Sequence, residues 1–304
     1  MNGIVNVLKP PGMTSQNVVS FMRRTVGIKK IGHSGTLDPY AAGVLPIFIG
    51  KATRVVEYAM AGEKEYIGEI CFGIETDTLD AQGKIVARDG KEVSQEKFER
   101  VLQQTHGVIY QRPPMYSALK MDGQKLVNLA RKGKQVEIPK RPVEIFETEL
   151  IAPAGPNRFL FRVRCSKGTY VRTLCQDWGK ALGTVAHLSF LLRTQTGAYK
   201  IEDSLTLEEI TALGEQGALL NALQPIESGC DTLPRIDLTI QAKRAVLCGQ
   251  EILPKWILAM PEEQKTPCQL WVGGRFMGTA QRTDENTIET QKVIWEETCN
   301  ALQR

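Results

Sequence analysis

The feature that most constrains this chain is residues 32–54, where turn-forming residues, one carboxylate and a continuous apolar run follow one another. Gly35 permits backbone angles that a side chain would prevent, and Asp38 precedes Pro39, which favours an extended or turn conformation. Residues 41–49 are small and apolar enough to be buried, so they would hold the loop against the core. The pattern predicts a rigidly supported carboxylate on a sharp loop, although an Asp before a Pro often only begins a turn or caps a helix.

Length and composition are those of an ordinary folded protein. A chain of 304 residues can form two domains, one large with a sizeable core and one small. No apolar stretch approaches the roughly 20 residues of a membrane span, and the N-terminus lacks the basic-then-apolar pattern of a secretory signal. We therefore expect a cytoplasmic protein with no membrane partner.

The cysteines argue against both a disulfide framework and a structural zinc site. They are odd in number and widely spread, and they form no C-x-x-C pair and have no nearby His. We expect no metal and mostly buried, reduced thiols at the following positions: Cys71, Cys165, Cys175, Cys230, Cys248, Cys268 and Cys299.

Short strands and helices alternate along the first three-quarters of the chain. Periodicity and capping residues predict strands at residues 3–8, 65–72, 84–88 and 159–165, a short helix at 55–60, and helices that end at Gly27, Gly183 and Gly214. This alternation predicts an α+β domain with a mixed or antiparallel sheet flanked by helices. Residues 228–234 have the composition of a linker, followed by predicted strands at 236–240, 269–272 and 275–280. We place the two domains at residues 1–231 and 232–304.

Positive charge is concentrated in one segment, although the net charge is only +4. Between residues 113 and 141, seven Lys or Arg residues stand against two acidic ones: Lys120, Lys125, Arg131, Lys132, Lys134, Lys140 and Arg141. Such a segment can close on a phosphate backbone, or it can simply be a solvated helix with its neighbouring loop. Composition alone leaves both interpretations open.

Four motifs resemble those of the TruB-type tRNA pseudouridine synthases. Residues 32–54 contain GTLDPYAAGVLP, similar to the family's G-[ST]-L-D-P-x-A-x-G-x-L-P run. Residues 5–15 resemble the family's opening, 113–120 its central motif and 166–172 its arginine motif. The four occur in the family's order, and the resemblance implies that Asp38 is the catalytic residue.

The resemblance also implies two further catalytic side chains. Tyr66, at the start of the strand predicted for residues 65–72, matches a tyrosine that stacks on the target base and can help remove its C5 proton. Arg172 matches the arginine that pairs with the catalytic aspartate, and it would favour and orient the charged form of Asp38.

The remaining residues implied by the resemblance would bind the RNA. Leu191 would line the uracil pocket, and Tyr170 lies with Arg172 at the start of a helix. His33 would fill the gap left by the extruded base. Arg193 would contact the RNA backbone, at a place where the family often has two basic residues and this chain has Leu192 before it. Lys9 and Arg54 are candidates for phosphate contacts.

For the whole chain, the resemblance implies isomerisation of uridine-55 in the T loop of tRNA after base flipping, without a cofactor. It implies an RNA-binding insertion at about residues 108–141, on family grounds, and a small PUA-like RNA-binding barrel at 232–304. We expect a monomer.

Three alternative functions would each require something different of the chain. A glycoside hydrolase would need a second carboxylate, for which Glu57, Glu63 and Glu65 are the nearest candidates in sequence. A non-catalytic RNA-binding protein or chaperone would have no need for Asp38, Tyr66 and Arg172 together. A pseudouridine synthase for another RNA would keep the chemistry and change only the substrate.

Overall fold

The computed structural model describes residues 1–117, 119–121, 123–131, 136–262, 266–283 and 287–295. Lys132, Lys134 and Cys299 lie outside these residues, as do the side chains of Lys120, Lys125 and Arg131. The strands are β1 (Gly3–Lys9), β2 (Ile31–His33), β3 (Ala42–Ile49), β4 (Lys64–Phe72), β5 (Ile74–Thr76), β6 (Ile85–Arg88), β7 (Gly107–Gln111), β8 (Lys120–Met121), β9 (Gln124–Lys125), β10 (Arg141–Gly155), β11 (Arg158–Cys165), β12 (Ala186–Thr196), β13 (Tyr199–Lys200), β14 (Arg235–Leu238), β15 (Ile257–Ala259), β16 (Pro267–Val272), β17 (Arg275–Arg282) and β18 (Ile288–Val293). The helices are α1 (Ser15–Val26), α2 (Val56–Ala59), α3 (Gln95–Gln104), α4 (Leu126–Arg131), α5 (Val171–Ala181), α6 (Leu207–Glu215) and α7 (Lys243–Cys248).

A mixed sheet forms the centre of the larger unit. Its strands lie in the order β1, β3, β12, β4, β11, β10, β7, while β2 pairs with β3 and β13 with β12. Strand β12 runs parallel to β3, and the other pairings of this sheet among the described residues are antiparallel. The predicted α+β architecture with a mixed sheet is confirmed.

Strand β4 shows why the alternating pattern could be interpreted correctly. Its residues alternate strictly between buried and partly exposed, with Tyr66, Ile70 and Phe72 on the buried side. That face packs against α3 and α5, and the rings of Phe72 on β4 and Phe98 on α3 lie 5.2 Å apart between centroids. The burial of this face fixes the register of β4 and therefore the place of Tyr66.

Helix α1 begins and ends at the residues that its sequence predicts. The Thr14 hydroxyl accepts the backbone N–H of Asn17 at 3.0 Å, and Gly27 adopts the left-handed conformation that closes the C-terminus. The apolar face of the helix packs on β1 and β3 through Val18, Val19 and Met22. This packing places the turn between β1 and α1 next to the loop that carries Asp38.

A second sheet follows in the order β15, β14, β16, β17, β18 and encloses a core of its own. It packs directly on the larger unit. Ile294 joins the buried cluster around Phe48 and Val55, and the Tyr58 hydroxyl lies 3.2 Å from that of Thr279. Cys230, in the segment predicted as a linker, is buried in the same cluster, so this segment is packed rather than extended between the units.

The six described cysteines are free thiols, of which four are buried, Cys71 is partly exposed and Cys248 is exposed. Among the described residues, the helices are all too short or too polar to cross a membrane.

Candidate active site

The turn between β1 and α1 contacts the loop of Asp38 and supports it. The Lys9 ammonium is fully buried and donates to the carbonyls of Pro10, Met13 and Pro39 at 2.9, 2.6 and 3.0 Å. The Gly12 N–H also donates to the Pro39 carbonyl, at 2.8 Å. One buried cation therefore joins the turn to the residue that follows Asp38.

A serine at the start of α1 makes a second attachment to the same loop. The Leu37 N–H donates to the Ser15 hydroxyl at 2.9 Å, and that hydroxyl donates to the Leu37 carbonyl at 3.1 Å. The sequence predicted support from residues 41–49, which form the buried β3; the contacts of Lys9 and Ser15 add support from the N-terminal motif.

Asp38 and Arg172 form a two-bond ion pair. Nε of Arg172 lies 3.0 Å from Oδ2 of Asp38, and Nη2 donates to Oδ1 at 3.2 Å. Arg172 is buried, whereas the side chain of Asp38 remains 41% exposed. The carboxylate is therefore fixed in orientation but open on one side, as a reacting group must be.

Other groups orient Arg172, and one of them is a second carboxylate. Arg172 donates to the carbonyls of Thr78 and Tyr116 at 3.1 and 2.9 Å, and its Nη1 lies 3.5 Å from Oδ2 of Asp80. Burial raises the pKa of Asp38 above its ordinary value; Arg172 opposes this shift, and the nearby charge of Asp80 adds to it. Sequence analysis missed Asp80, because it lies in a polar loop that carries no motif.

Tyr66 and Leu191 complete a small cavity beside this pair. It has a volume of about 90 Å³ and is lined by Thr36, Leu37, Asp38, Tyr66, Thr169, Tyr170, Val171, Arg172 and Leu191. Five of the nine predicted site residues therefore meet here, although they come from a loop, two strands and the start of a helix.

Tyr170 is anchored by a residue that the sequence did not indicate. The side chain of Gln111 accepts the Tyr170 N–H at 3.0 Å and donates to its carbonyl at 3.3 Å. Gln111 is buried at the end of β7. This amide ties the residue that precedes α5 to β7, the strand at which the predicted RNA-binding insertion begins.

Two predicted binding residues are buried beneath the site. Lys9 is fully enclosed by carbonyls, and Arg193 is only 1% exposed. A phosphate could reach neither side chain in this arrangement, so the phosphate contacts expected of them do not fit these positions. Burial is the main cause that lowers the pKa of Lys9, to about 8.

Neither His33 nor Arg54 lines the cavity. His33 ends β2 just before the Asp38 loop, and burial lowers its pKa, with Arg193 acting in the same direction. Arg54 lies instead in a groove of about 670 Å³ that it shares with Lys292 and Val293, and its guanidinium donates to the Val293 carbonyl. The structure therefore does not bring Arg54 to the cavity.

The carboxylates considered for a hydrolase lie away from the cavity. Glu57 pairs with Lys292, Glu63 pairs with Arg164, and Glu65 accepts a hydrogen bond from the Thr194 hydroxyl. None of the three lines the cavity of Asp38. Within the described part of the chain, no group of three His, Cys, Asp or Glu side chains is arranged to hold a metal ion.

Two family models match this chain, and each of them covers part of the site. Residues 23–171 match the N-terminal domain of the TruB family pseudouridylate synthases, and residues 172–230 match the C-terminal domain of tRNA pseudouridylate synthase B. The boundary falls at the start of α5, so Asp38 and Tyr66 belong to one match and Arg172 and Leu191 to the other.

Relatives and a solved structure agree with these matches. The chain is similar to tRNA pseudouridine synthase B of Caldanaerobacter subterraneus, with 48% identity over 83% of this chain and 86% of that protein. It is also similar to tRNA pseudouridine synthase B of Clostridioides difficile, with 46% identity over 85% of this chain and 86% of the other. A chain in a structure described as an H/ACA RNP bound to a substrate RNA containing 2'-deoxyuridine superposes with a TM-score of 0.77 and 26% identity. That likeness covers 97% of this chain and 85% of the other.

Proposed function

The chain belongs to the TruB family of pseudouridylate synthases, and we propose that it isomerises a uridine of tRNA to pseudouridine with Asp38 as the catalytic carboxylate. The observation that carries this proposal is the Asp38–Arg172 ion pair, which opens into a cavity shared with Tyr66 and Leu191. A carboxylate whose pKa is raised by burial and a neighbouring charge is typical of catalytic sites.

The reaction needs one group that can act at the glycosidic bond. Uracil is detached from the ribose at N1, turned in place and rejoined through C5, so that no electrons are gained or lost overall. Asp38 can attack the sugar or the base as a nucleophile, or its charge can stabilise an intermediate. Each route requires the ionised carboxylate, which the two bonds from Arg172 favour and orient.

The target uridine has to leave its stack before it can reach Asp38. Flipping a base costs a few kcal/mol, which contacts in the pocket must recover. Tyr66 would stack on the flipped base and Leu191 would hold its other side, while His33, at the edge of the loop, would fill the vacated position. Tyr170, beside Arg172, would contact the same nucleotide. Tyr66 would also remove the proton from C5.

The proposed substrate is the T stem-loop of tRNA, with uridine-55 as the target. Relatives named for tRNA support tRNA as the substrate, and the basic segment at residues 113–141 supports contact with a phosphate backbone. We assign the second sheet the role of a PUA-like RNA-binding domain. The protein is proposed to act as a cytoplasmic monomer.

The test is tritium release from tRNA labelled at C5 of uridine, without added cofactor or metal. We compare the native protein with Asp38→Asn and with Asp203→Asn, which makes the same change at an exposed carboxylate outside the cavity. We expect release from the T-loop uridine with the native protein and with Asp203→Asn, and none with Asp38→Asn, which should still fold and bind tRNA.

The other outcomes separate the alternatives. Tight tRNA binding by the native protein without release would favour a non-catalytic RNA-binding function. Release from other uridines would keep the chemistry and replace the substrate. Retained turnover in Asp38→Asn would rule out the assigned role of that carboxylate.

A further inference from the structure

Arg193 is a buried cation without an acidic partner. It is 1% exposed, and among the described residues no Asp or Glu forms an ion pair with it. Its Nε donates to the Val44 carbonyl at 2.8 Å and its Nη2 to the Gly35 carbonyl at 3.2 Å. Burying a charge without a counter-ion is costly, so such a residue calls for a specific role.

The basic side chains around Arg193 increase the free-energy cost of burying its charge. Lys9, His33 and Lys64 all lie near enough for the charge of Arg193 to lower their pKa values, in addition to the larger effect of burial. A site that needed only packing could use an apolar side chain here. The positive charge therefore has to serve a group that benefits from it.

That group is the hydroxyl of Tyr66. Arg193 on β12 lies directly opposite Tyr66 on β4 in the antiparallel register, and both side chains are buried on the same face of the sheet. A guanidinium only donates hydrogen bonds, so towards the Tyr66 hydroxyl it can act only as a donor to the oxygen. Burial raises the pKa of Tyr66, and Arg193 is the first charge that opposes this shift, while Cys165 and Asp38 add to it.

The surrounding backbone holds Arg193 in this position. The parallel pairing of β12 with β3 places Arg193 opposite Gly43, whose φ is +116°. A Cβ at Gly43 would lie 2.1 Å from the carbonyl oxygen of Arg193, so the close approach of the two strands requires a glycine. The position of Arg193 is thus set by two neighbouring strands and by the loop of Gly35.

We propose that Arg193 is a positioning residue for the proton transfer at C5, and that it holds the Tyr66 oxygen and stabilises its negative charge. The inference rests on the proposed role of Tyr66. It replaces the expected phosphate contact of Arg193, which its burial does not allow.

The proton step balances without any further reactant. After uracil has rejoined the ribose through C5, that carbon carries both the ribose and its original hydrogen. The neutral Tyr66 first gives its own proton to water, and the tyrosinate then takes the proton from C5 while the electron pair of the C5–H bond returns to the ring. Tyr66 ends as the neutral phenol and N1 gains a proton from water, so that substrate and product remain isomers.

A double-mutant cycle tests the proposal. Tyr66→Phe, Arg193→Met and the double variant are compared with the native protein in single-turnover tritium release from C5-labelled tRNA, and filter binding gives Kd for the same tRNA. Arg162→Met is the matched control, because Arg162 lies on the neighbouring β11 and pairs with Glu149 outside the cavity.

We expect each single change to slow release by at least about a hundredfold, the low end of what a positioned proton acceptor contributes. Because Arg193 would act only through the Tyr66 oxygen, the double variant should be no slower than Tyr66→Phe, within about twofold. Kd should stay within about twofold in all variants, and Arg162→Met should release tritium at the native rate.

Two results would overturn the proposal. Rate losses that multiply in the double variant would show that Arg193 acts independently of Tyr66. A weaker Kd at an unchanged rate would restore the phosphate contact. If Tyr66→Phe itself releases tritium at the native rate, the proposed role of Tyr66 fails, and this outcome is distinct from the first two.

Loss of the cation could also prevent folding, which circular dichroism would detect. In that case Arg193→Lys replaces Arg193→Met in the same cycle, since lysine keeps the positive charge but not the planar donor geometry of arginine. Its rate loss should be present with Tyr66 and absent with Tyr66→Phe, and a loss that persists in the Tyr66→Phe background would reject the proposal.

Discussion

At the scale of single residues, the site is organised around one arginine between two carboxylates. Nε and Nη2 of Arg172 lie 3.0 and 3.2 Å from the carboxylate oxygens of Asp38. Nη1 of Arg172 lies 3.5 Å from the carboxylate of Asp80. Burial and Asp80 both raise the pKa of Asp38, against the effect of Arg172. A carboxylate held in this way is oriented for reaction, and its charged form is less favourable than that of an ordinary surface aspartate.

The pH dependence of the reaction should report this shift. Because Asp38 must be ionised, the single-turnover rate constant should fall as the pH decreases through the raised pKa, above the ordinary aspartate value of about 3.9. Asp80→Asn removes the like charge, so the acidic limb should move to lower pH. Rate constants measured across the acidic range in both proteins check this, and an upward movement in Asp80→Asn would contradict it.

At the scale of elements, the turn before α1 and the loop after β2 act as one support. The Ser15 hydroxyl binds both backbone polar groups of Leu37, next to Asp38, and is buried. Thr14, one residue earlier, caps the same helix, and its hydroxyl bonds to the backbone N–H and the side chain of Asn17. Adjacent hydroxyls therefore serve two separate purposes, helix formation and positioning of the site.

Substitution of these two hydroxyls should separate the purposes. Ser15→Ala should cost about 1–2 kcal/mol of stability, because it leaves buried backbone groups of Leu37 unpaired. It should also lower kcat more than it raises KM, since the carboxylate loses its alignment. Denaturant unfolding and steady-state tritium release measure both effects.

Thr14→Ala is the matched control for this change. Loss of the N-cap should cost about 1 kcal/mol and leave kcat unchanged. An equal fall in kcat for both variants would mean that general destabilisation, and not the loop contact, explains the result.

At the scale of the whole molecule, the two units share a buried boundary. Ile294 from the second unit is packed among Phe48, Val55 and Tyr58 of the first, and the predicted linker contributes Cys230 to the same cluster. The Lys51 ammonium also donates to the Trp295 carbonyl across the boundary at 3.0 Å. We infer that the second unit supports the strand β3 that lies beside the site.

Truncation of the boundary residue should weaken the first unit. Ile294→Ala should cost about 2–5 kcal/mol, as expected for a large-to-small change in a packed core, and amides of β3 should lose protection from hydrogen exchange. Leu258→Ala, on an exposed side chain of the second unit, is the control and should leave β3 protected. Mass spectrometry of the exchanged peptides measures both, and unchanged protection of β3 in Ile294→Ala would show that the units are independent.

Part of the local structure of this chain followed from its sequence. Alternation along β4 and β11 predicted their buried faces, and Gly27 and the glycine after α5 marked helix ends, whereas α6 continues one residue past the Gly214 predicted to end it. These features depend on neighbours within a few residues, so periodicity and capping chemistry are sufficient to find them. The motif around Asp38 is also local, because its residues are contiguous in the chain, and it was therefore sufficient to indicate the family.

Contacts between distant segments were decided only by the tertiary structure. Asp80 and Gln111 join the site from loops and strand ends without a motif, and Arg193 and Lys9 are buried although contacts with the RNA backbone were expected of them. The parallel pairing of β3 with β12 brings Gly43 beside Arg193 across 150 residues of chain. The sequence by itself indicated several of the elements and the proposed catalytic carboxylate, whereas β10, β12 and the partners that orient Asp38 were set by packing between elements. Residue type and spacing do not encode those pairings locally.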